Sequence, residues 1–252
     1  MSARFILAQI SDTHLRAEAP EATANLRRAL DAARGYGADA IVLTGDLIND
    51  ENRPEEYDLL VEALRDPPAP LFLLPGNHDQ PELIRARFPE HAYLPPHGPY
   101  SFAIDDFPVR LVGIDQHAPG SVAGVFTEAH ARWLDQTLRR APDKPTLVAL
   151  HHPPFPTHDR LFDTIGLIGA ELFAQVIARH RQVQRIVCGH HHRVAVGQVA
   201  HAPVVIAPST SWAYGLALQE GQQIAPRTQE APGWMLHAWS AEGGFASHFM
   251  GL

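Results

Sequence analysis

Between Arg4 and Asp79 the chain alternates three short apolar runs with two amphipathic stretches, and this order constrains the fold more than any other feature. The runs are RFILAQISD (4–12), ADAIVLTGD (38–46) and PLFLLPGNHD (70–79). Between the first two, Leu26, Ala29, Leu30 and Ala33 recur at helical spacing, and glycines follow to stop the helix. Between the second and third, RPEEYDLLVEALRD places Pro54 for a first turn with acids behind it. Strand, helix, strand, helix, strand implies βαβ units with a largely parallel, buried core.

The middle reads as two strands around a turn at 105–108, a helix over 127–141, a strand from 145 that the proline cluster of 153–156 stops, a helix over 167–182 and a strand over 183–192. The tail, 194–212 and 233–250, alternates like antiparallel strands. There is no low-complexity linker and no repeat. The expectation is one α/β domain spanning 1–252, with two packed mixed sheets and helices outside.

Bulk properties narrow the function. The chain is 45% hydrophobic and 19% charged, as in an ordinary soluble globular protein. Its single cysteine, Cys188, excludes an internal disulfide and suits a reducing, cytoplasmic compartment. The N-terminal apolar run is broken by Gln9 and reads as a strand, not a signal peptide. No segment reaches the ~18 to 20 apolar residues of a membrane span. With Lys+Arg 20 against Asp+Glu 28, net −8, there is no basic stripe, so nucleic-acid binding is not expected.

Chemistry gathers where the apolar runs stop. The first ends in Asp12 and His14, the second in Asp46 and Asn49, the third in Asn77, His78 and Asp79. Two later runs end in His151–His152 and in His190, His191 and His192. Ligands of open α/β sheets bind beyond the carboxyl ends of parallel strands, so five such ends can meet in one crevice. Each ending alone has an ordinary explanation, a capping Asp or a solvated His. Five in one chain point to a metal site. Asp12, His14, Asp46, Asn77, His151, His190 and His192 are the seven candidate ligands. Carboxylate, amide and imidazole suit Mn, Fe, Co or Zn. Seven ligands exceed one tetrahedral ion and match two ions about 3.5–4 Å apart sharing a carboxylate. Side chains on an extended chain alternate faces, so Asp12 and His14 can reach one ion cluster together, so can His190 and His192, and His191 should point away. By the same parity, one of His151 and His152 is a ligand.

The ordered set D-x-H, G-D-x-x-N, G-N-H-D, H-H-P and G-H-x-H resembles the calcineurin-like metallophosphoesterases. Within them it most resembles the class III bacterial cyclic-nucleotide phosphodiesterases and the related glycerophosphodiesterases. It stands here as ISDTHL, LTGDLIND, LPGNHD, LHHPPFP and CGHHH, with weaker matches IAPSTS and APGW. The resemblance implies a four-layer α/β/β/α sandwich. It implies one ion on Asp12, His14, Asp46 and His192, and the other on Asp46, Asn77, His151 and His190, with Asp46 and a hydroxide bridging. It implies that His78 is no ligand but faces the substrate phosphate as catalytic residue. Asn49 or Asp79 would orient it.

The implied reaction is hydrolysis of a small phosphodiester by the metal-bridging hydroxide, with His78 stabilising charge and protonating the leaving oxygen. Two divalent ions, two carboxylates and a hydroxide leave about one positive charge, which matches a monoanionic diester. 3′,5′-Cyclic nucleotides such as cAMP lead, with glycerophosphodiesters beside them. Trp212, Tyr214 or Phe155 could stack on a base. A phosphomonoesterase or nucleotidase with the same metals, and a non-catalytic binding module on the same fold, are the competing readings. Residues 156–169 and the tail after Trp234 match the family loosely; they would shape the pocket and any homodimer contact.

Overall fold

The apolar runs become strands and the amphipathic stretches become helices. The computed structural model describes residues 3–222 and 227–252. In chain order the first half holds β1 (Arg4–Ile10), α1 (Pro20–Gly35), β2 (Ala40–Thr44), α2 (Pro54–Ala63), β3 (Leu71–Leu74), α3 (Pro81–Arg87), β4 (Phe102–Ile104) and β5 (Arg110–Gly113). There follow β6 (Gly124–Val125), α4 (Glu128–Arg139), β7 (Thr146–Ala149), β8 (Leu167–Ile168), α5 (Ala170–Ala178) and β9 (Val183–Cys188). The chain closes with β10 (Ala195–Val199), β11 (Ala202–Ile206), β12 (Gly233–Ser240) and β13 (Gly244–Gly251).

Helix starts follow local chemistry. α1, α2 and α3 each open on a proline, whose missing N–H would have no helical partner there. The Thr127 side chain accepts from the His130 N–H, and the His130 ring reciprocates to the Thr127 N–H, closing a capping box on α4.

One sheet has the order β13-β12-β1-β2-β3 and the other β10-β11-β9-β7-β5-β4. β1, β2 and β3 run parallel, as do β5, β7, β9 and β11. Antiparallel neighbours flank both parallel cores. Side-chain alternation sorts the apolar residues into three cores. Phe5, Leu7, Val42 and Phe72 meet Leu111, Leu147 and Val187 between the sheets. Ala8, Ile10, Ile41, Leu43 and Leu73 face Leu26, Tyr57 and Ile84 of α1, α2 and α3. Val112, Val148, Ile186 and Val204 face Leu134, Leu138, Phe173 and Val176 of α4 and α5. This is the four-layer α/β/β/α sandwich.

Two details differ from the sequence expectation. The tail strands pair antiparallel as read, β10 with β11 and β12 with β13, but the two pairs join different sheets, and β11 also pairs parallel with β9. The helix read over 167–182 is shorter: Leu167–Ile168 form β8, which pairs with β6 in a two-stranded sheet, and α5 spans Ala170–Ala178.

Candidate metal centre

The parallel strands of both sheets end on one side of the molecule, and the loops beyond them carry the candidate residues. Asp12 and His14 follow β1, Asp46 follows β2, and Asn77, His78 and Asp79 follow β3. From the other sheet, His151 and His152 follow β7, and His190, His191 and His192 follow β9. Main-chain bonds hold the loops together: the Asp12 N–H donates to the Gly45 carbonyl (3.0 Å), His14 to Asp46 (3.0 Å) and Gly189 to His151 (2.9 Å). The Asp12 carboxylate accepts from the His190 N–H at 3.0 and 3.1 Å, which ties the two sheets together at the site.

The backbone at these positions is not extended, so strand alternation does not decide where their side chains go. β1 stops at Ile10 and β9 at Cys188, so neither D-x-H nor H-x-H is extended. Asp12, His14, Asp46, His190 and His192 have φ of 52°, 43°, 49°, 68° and 58°. Seven described non-glycine residues adopt positive φ, and five of them are these candidate ligands. These left-handed turns bring Asp12, His14, Asp46 and His192 into one donor group and His190 into the other, with His191 in neither. His191 is nevertheless buried, its Nε2 3.6 Å from Asp159 Oδ2 and its ring against Phe162.

Two groups form. Asp12, His14, Asp46 and His192 bring ligand atoms within 4.8 Å of one another, and so do His151, His152 and His190. Asp46 joins them, its Oδ2 lying 3.6 Å from His14 Nε2 and its Oδ1 3.4 Å from His151 Nε2. Asn77 Oδ1 lies 3.3 Å from the same His151 nitrogen. His192 Nε2 lies 3.5 Å from Asp12 Oδ1 and 2.9 Å from His14 Nε2. Parity keeps one histidine of the adjacent pair, and the structure gathers both. Only His151 also faces Asp46 and Asn77; His152 donates from Nε2 to the Val122 carbonyl at 3.1 Å.

This donor set fits metal ions. His151 Nδ1 donates to the Thr44 carbonyl (2.7 Å) and His192 Nδ1 to the Trp212 carbonyl (2.8 Å), so each points a lone pair from Nε2 into the site. The Nε2 of His190 is buried without any hydrogen-bond partner among the described residues. An unpartnered buried nitrogen is costly, and a cation is its natural partner. Burial drives His14 and His190 well below the ordinary imidazole range and His192 down to about 4, which keeps all three neutral, the ligating form. For His151 burial is the largest influence and pulls down, but Asp46, Asp12 and the Thr44 carbonyl together raise it to about 9; a cation there would supply that charge in place of the proton. Close packing leaves no room for larger residues around the carboxylates. A Cβ on Gly189 would lie 2.6 Å from Asp12 Oδ2, and one on Gly76 would overlap Asp46.

His78 is part-buried beside the groups, its ring edge-on to His14 at 4.8 Å between centroids. Its Nδ1 donates to the Asn49 main-chain carbonyl at 2.7 Å, so Asn49 orients it through the backbone and not through its amide. The Asn49 amide oxygen instead accepts from Arg16 (2.8 Å). Asp79 makes no hydrogen bond to the His78 ring, though its charge favours the protonated ring. Its buried carboxylate accepts from the N–H groups of Leu47, Ile48 and Gly76, locking the Asp46 loop to the Asn77 loop.

Several supporting residues escape the sequence pattern. Ser209 Oγ donates to the Asp12 carbonyl (2.7 Å) and accepts from the Ser211 and Trp212 N–H groups. Trp212 and Tyr214 form the wall beside His14 and His192, with ring centroids 4.6 to 5.1 Å away. IAPSTS is the hint of Ser209, and Trp212 and Tyr214 stand in the sequence reading as candidates to stack on a base, not as walls of the metal site. Phe155 is not at the site; it packs on Gly197 of β10.

A sandwich whose sheet ends gather carboxylates and neutral imidazoles into two adjoining groups is the frame of a metal-dependent phosphoester hydrolase. The chain belongs to the calcineurin-like phosphoesterase family, whose model matches residues 5–194. A probable glycerophosphodiester phosphodiesterase GpdQ of Arcobacter nitrofigilis is 32% identical over 97% of this chain and 92% of that protein. The 3′,5′-cyclic adenosine monophosphate phosphodiesterase CpdA of Escherichia coli is 32% identical over 76% of this chain and 70% of its own. In fold, the chain superimposes on a dimetal phosphatase from Danio rerio with a TM-score of 0.78 at 16% identity, covering 98% of this chain and 96% of that one.

Proposed function

We propose that the chain is a phosphodiesterase acting on small phosphodiesters at a binuclear centre held by Asp12, His14, Asp46, Asn77, His151, His190 and His192. The observation that carries this is Asp46, which turns one oxygen to His14 and the other to His151 and so stands between two sets of donors. Bound divalent ions supply Lewis-acid polarisation of the phosphoryl group and an activated water near neutral pH.

The chain's residues do the rest. Asp12 and Asp46 offset part of the ionic charge, leaving a site suited to one negative charge on the substrate. His78, held at Nδ1 by Asn49, presents Nε2 to the leaving oxygen and gives it a proton. The supporting bonds to Thr44 and Trp212 carbonyls keep His151 and His192 in one tautomer. The relatives named for glycerophosphodiesters and for 3′,5′-cAMP both cleave small monoanionic diesters, and these two classes are the proposed substrates.

The test is a substrate panel on protein loaded with defined Mn, Fe, Co or Zn. Bis(p-nitrophenyl) phosphate, 3′,5′-cyclic nucleotides and glycerophosphodiesters should give higher kcat/KM than p-nitrophenyl phosphate. A higher kcat/KM on the monoester would overturn the assignment. Metal bound without hydrolysis of any ester would favour a binding module.

A further inference from the structure

We infer that the preferred substrate carries a second anionic group, a phosphate or carboxylate, on the part of the molecule beyond the scissile diester, and that Arg16 and Arg227 receive it. This rests on the phosphodiesterase assignment and narrows the substrate within it.

A cleft of about 530 Å³ opens beside His14 and is lined by Arg16, Asn49, Trp212, Tyr214 and Arg227. Trp212 joins it to the metal centre: its ring lies 4.6 Å from that of His14, and its carbonyl holds His192. The Arg16 guanidinium lies 5.2 Å from the Trp212 ring centroid and that of Arg227 lies 4.9 Å from it. The two cations therefore converge on one indole. Arg16 reaches it from the D-x-H loop and Arg227 from the tail.

Their partners distinguish them from ordinary surface arginines. The neighbouring Arg193 is neutralised by Glu230 at 2.7 Å and also donates to the Tyr214 carbonyl. Arg53, close in the fold, is held by Glu18, Glu55 and Glu56. Among the described residues, Arg16 and Arg227 have no carboxylate within 4.0 Å; Arg16 donates to the neutral Asn49 amide oxygen. An indole face holds a guanidinium without cancelling its charge or consuming its N–H donors. In a chain of net charge −8, two cations so held are set for an anion from outside.

The test uses two chromogenic diesters with the same leaving group: thymidine 5′-(p-nitrophenyl phosphate), and the same ester bearing a 3′-phosphate. With metal-loaded protein in low salt, the 3′-phosphorylated ester should have a KM lower by about tenfold. The advantage should shrink when salt rises from ~0.05 to ~0.5 M. It should vanish in R16M/R227M and persist in part in R16K/R227K. The ratio of the two KM values cancels any change in basal turnover. Calorimetric binding of thymidine 3′,5′-bisphosphate against thymidine 5′-phosphate gives the same comparison without turnover, so loss of the diesterase assignment is read separately, from bis(p-nitrophenyl) phosphate. Equal KM and equal binding for the two members of each pair, or an advantage that survives R16M/R227M, would overturn the inference.

Discussion

Removing the Asp46 carboxylate takes away both oxygens that stand between the two donor groups. Asp46→Ala is expected to bind at most one ion per chain by elemental analysis, and to lose at least about 10²-fold in kcat on bis(p-nitrophenyl) phosphate. The three consecutive histidines should respond unequally. His190→Ala and His192→Ala should lose metal and activity together. His191→Ala should keep its metal and most of its kcat, yet lose about 1–3 kcal/mol in urea unfolding, because its buried ring fills space against Asp159 and Phe162. Parity alone makes that substitution silent; burial does not. The ligand candidates were legible because each lies within a few residues of the end of an apolar run. Ser209 and Asp79 were not legible in their roles, because they act on main-chain groups of loops distant in sequence.

Long elements were readable and short ones were not. α1 buries the predicted Leu26, Ala29, Leu30 and Ala33. α3 has seven residues and one buried apolar side chain, Ile84, too little for a period to emerge. β6 and β8 have two residues each and exist through pairing alone. The split of the tail strands between the sheets also escaped the pattern, since alternation reports a buried face and not which partner covers it. The loops after the strands are where substitution should bite hardest. Gly189→Ala would press a methyl group into Ser11 and Asp12, so the expected outcome is loss of metal and a lower melting temperature, read by elemental analysis and calorimetry. Ala on Gly120, where nothing lies within 4 Å, should leave metal content untouched.

At the scale of the molecule, the site is also a joint. The loops after β1, β2 and β3 supply candidate ligands from one sheet and those after β7 and β9 from the other, so ions bound there would fasten the two halves. Chelation should lower the melting temperature and speed amide exchange first in the strand ends that meet there. Behind the joint lies a buried network. His237 of β12 donates to Gln9 Oε1 and accepts from Ser247, while Gln9 donates to Thr44 and to the Cys188 carbonyl of the opposite sheet. Burial pushes His237 down to about 3, against 6.5 for the free side chain. Between these values the unfolded chain takes up a proton that the fold refuses, so stability falls as pH drops below about 6.5. Urea unfolding at pH 7.5 and 4.5 should show His237→Gln losing about 2 kcal/mol less than the parent over that interval.

The left-handed backbone at five candidate ligands has an evolutionary consequence. Such a conformation costs about 1–3 kcal/mol per non-glycine residue, somewhat less for Asp and His. Glycine at Asp12, His14, Asp46, His190 or His192 would relieve that cost in the metal-free chain. Selection for thermal tolerance alone, in medium stripped of metal, should therefore discard these positions early. A lineage that keeps all five through drift records continuous demand for turnover, and the backbone angles serve as a ledger of that demand.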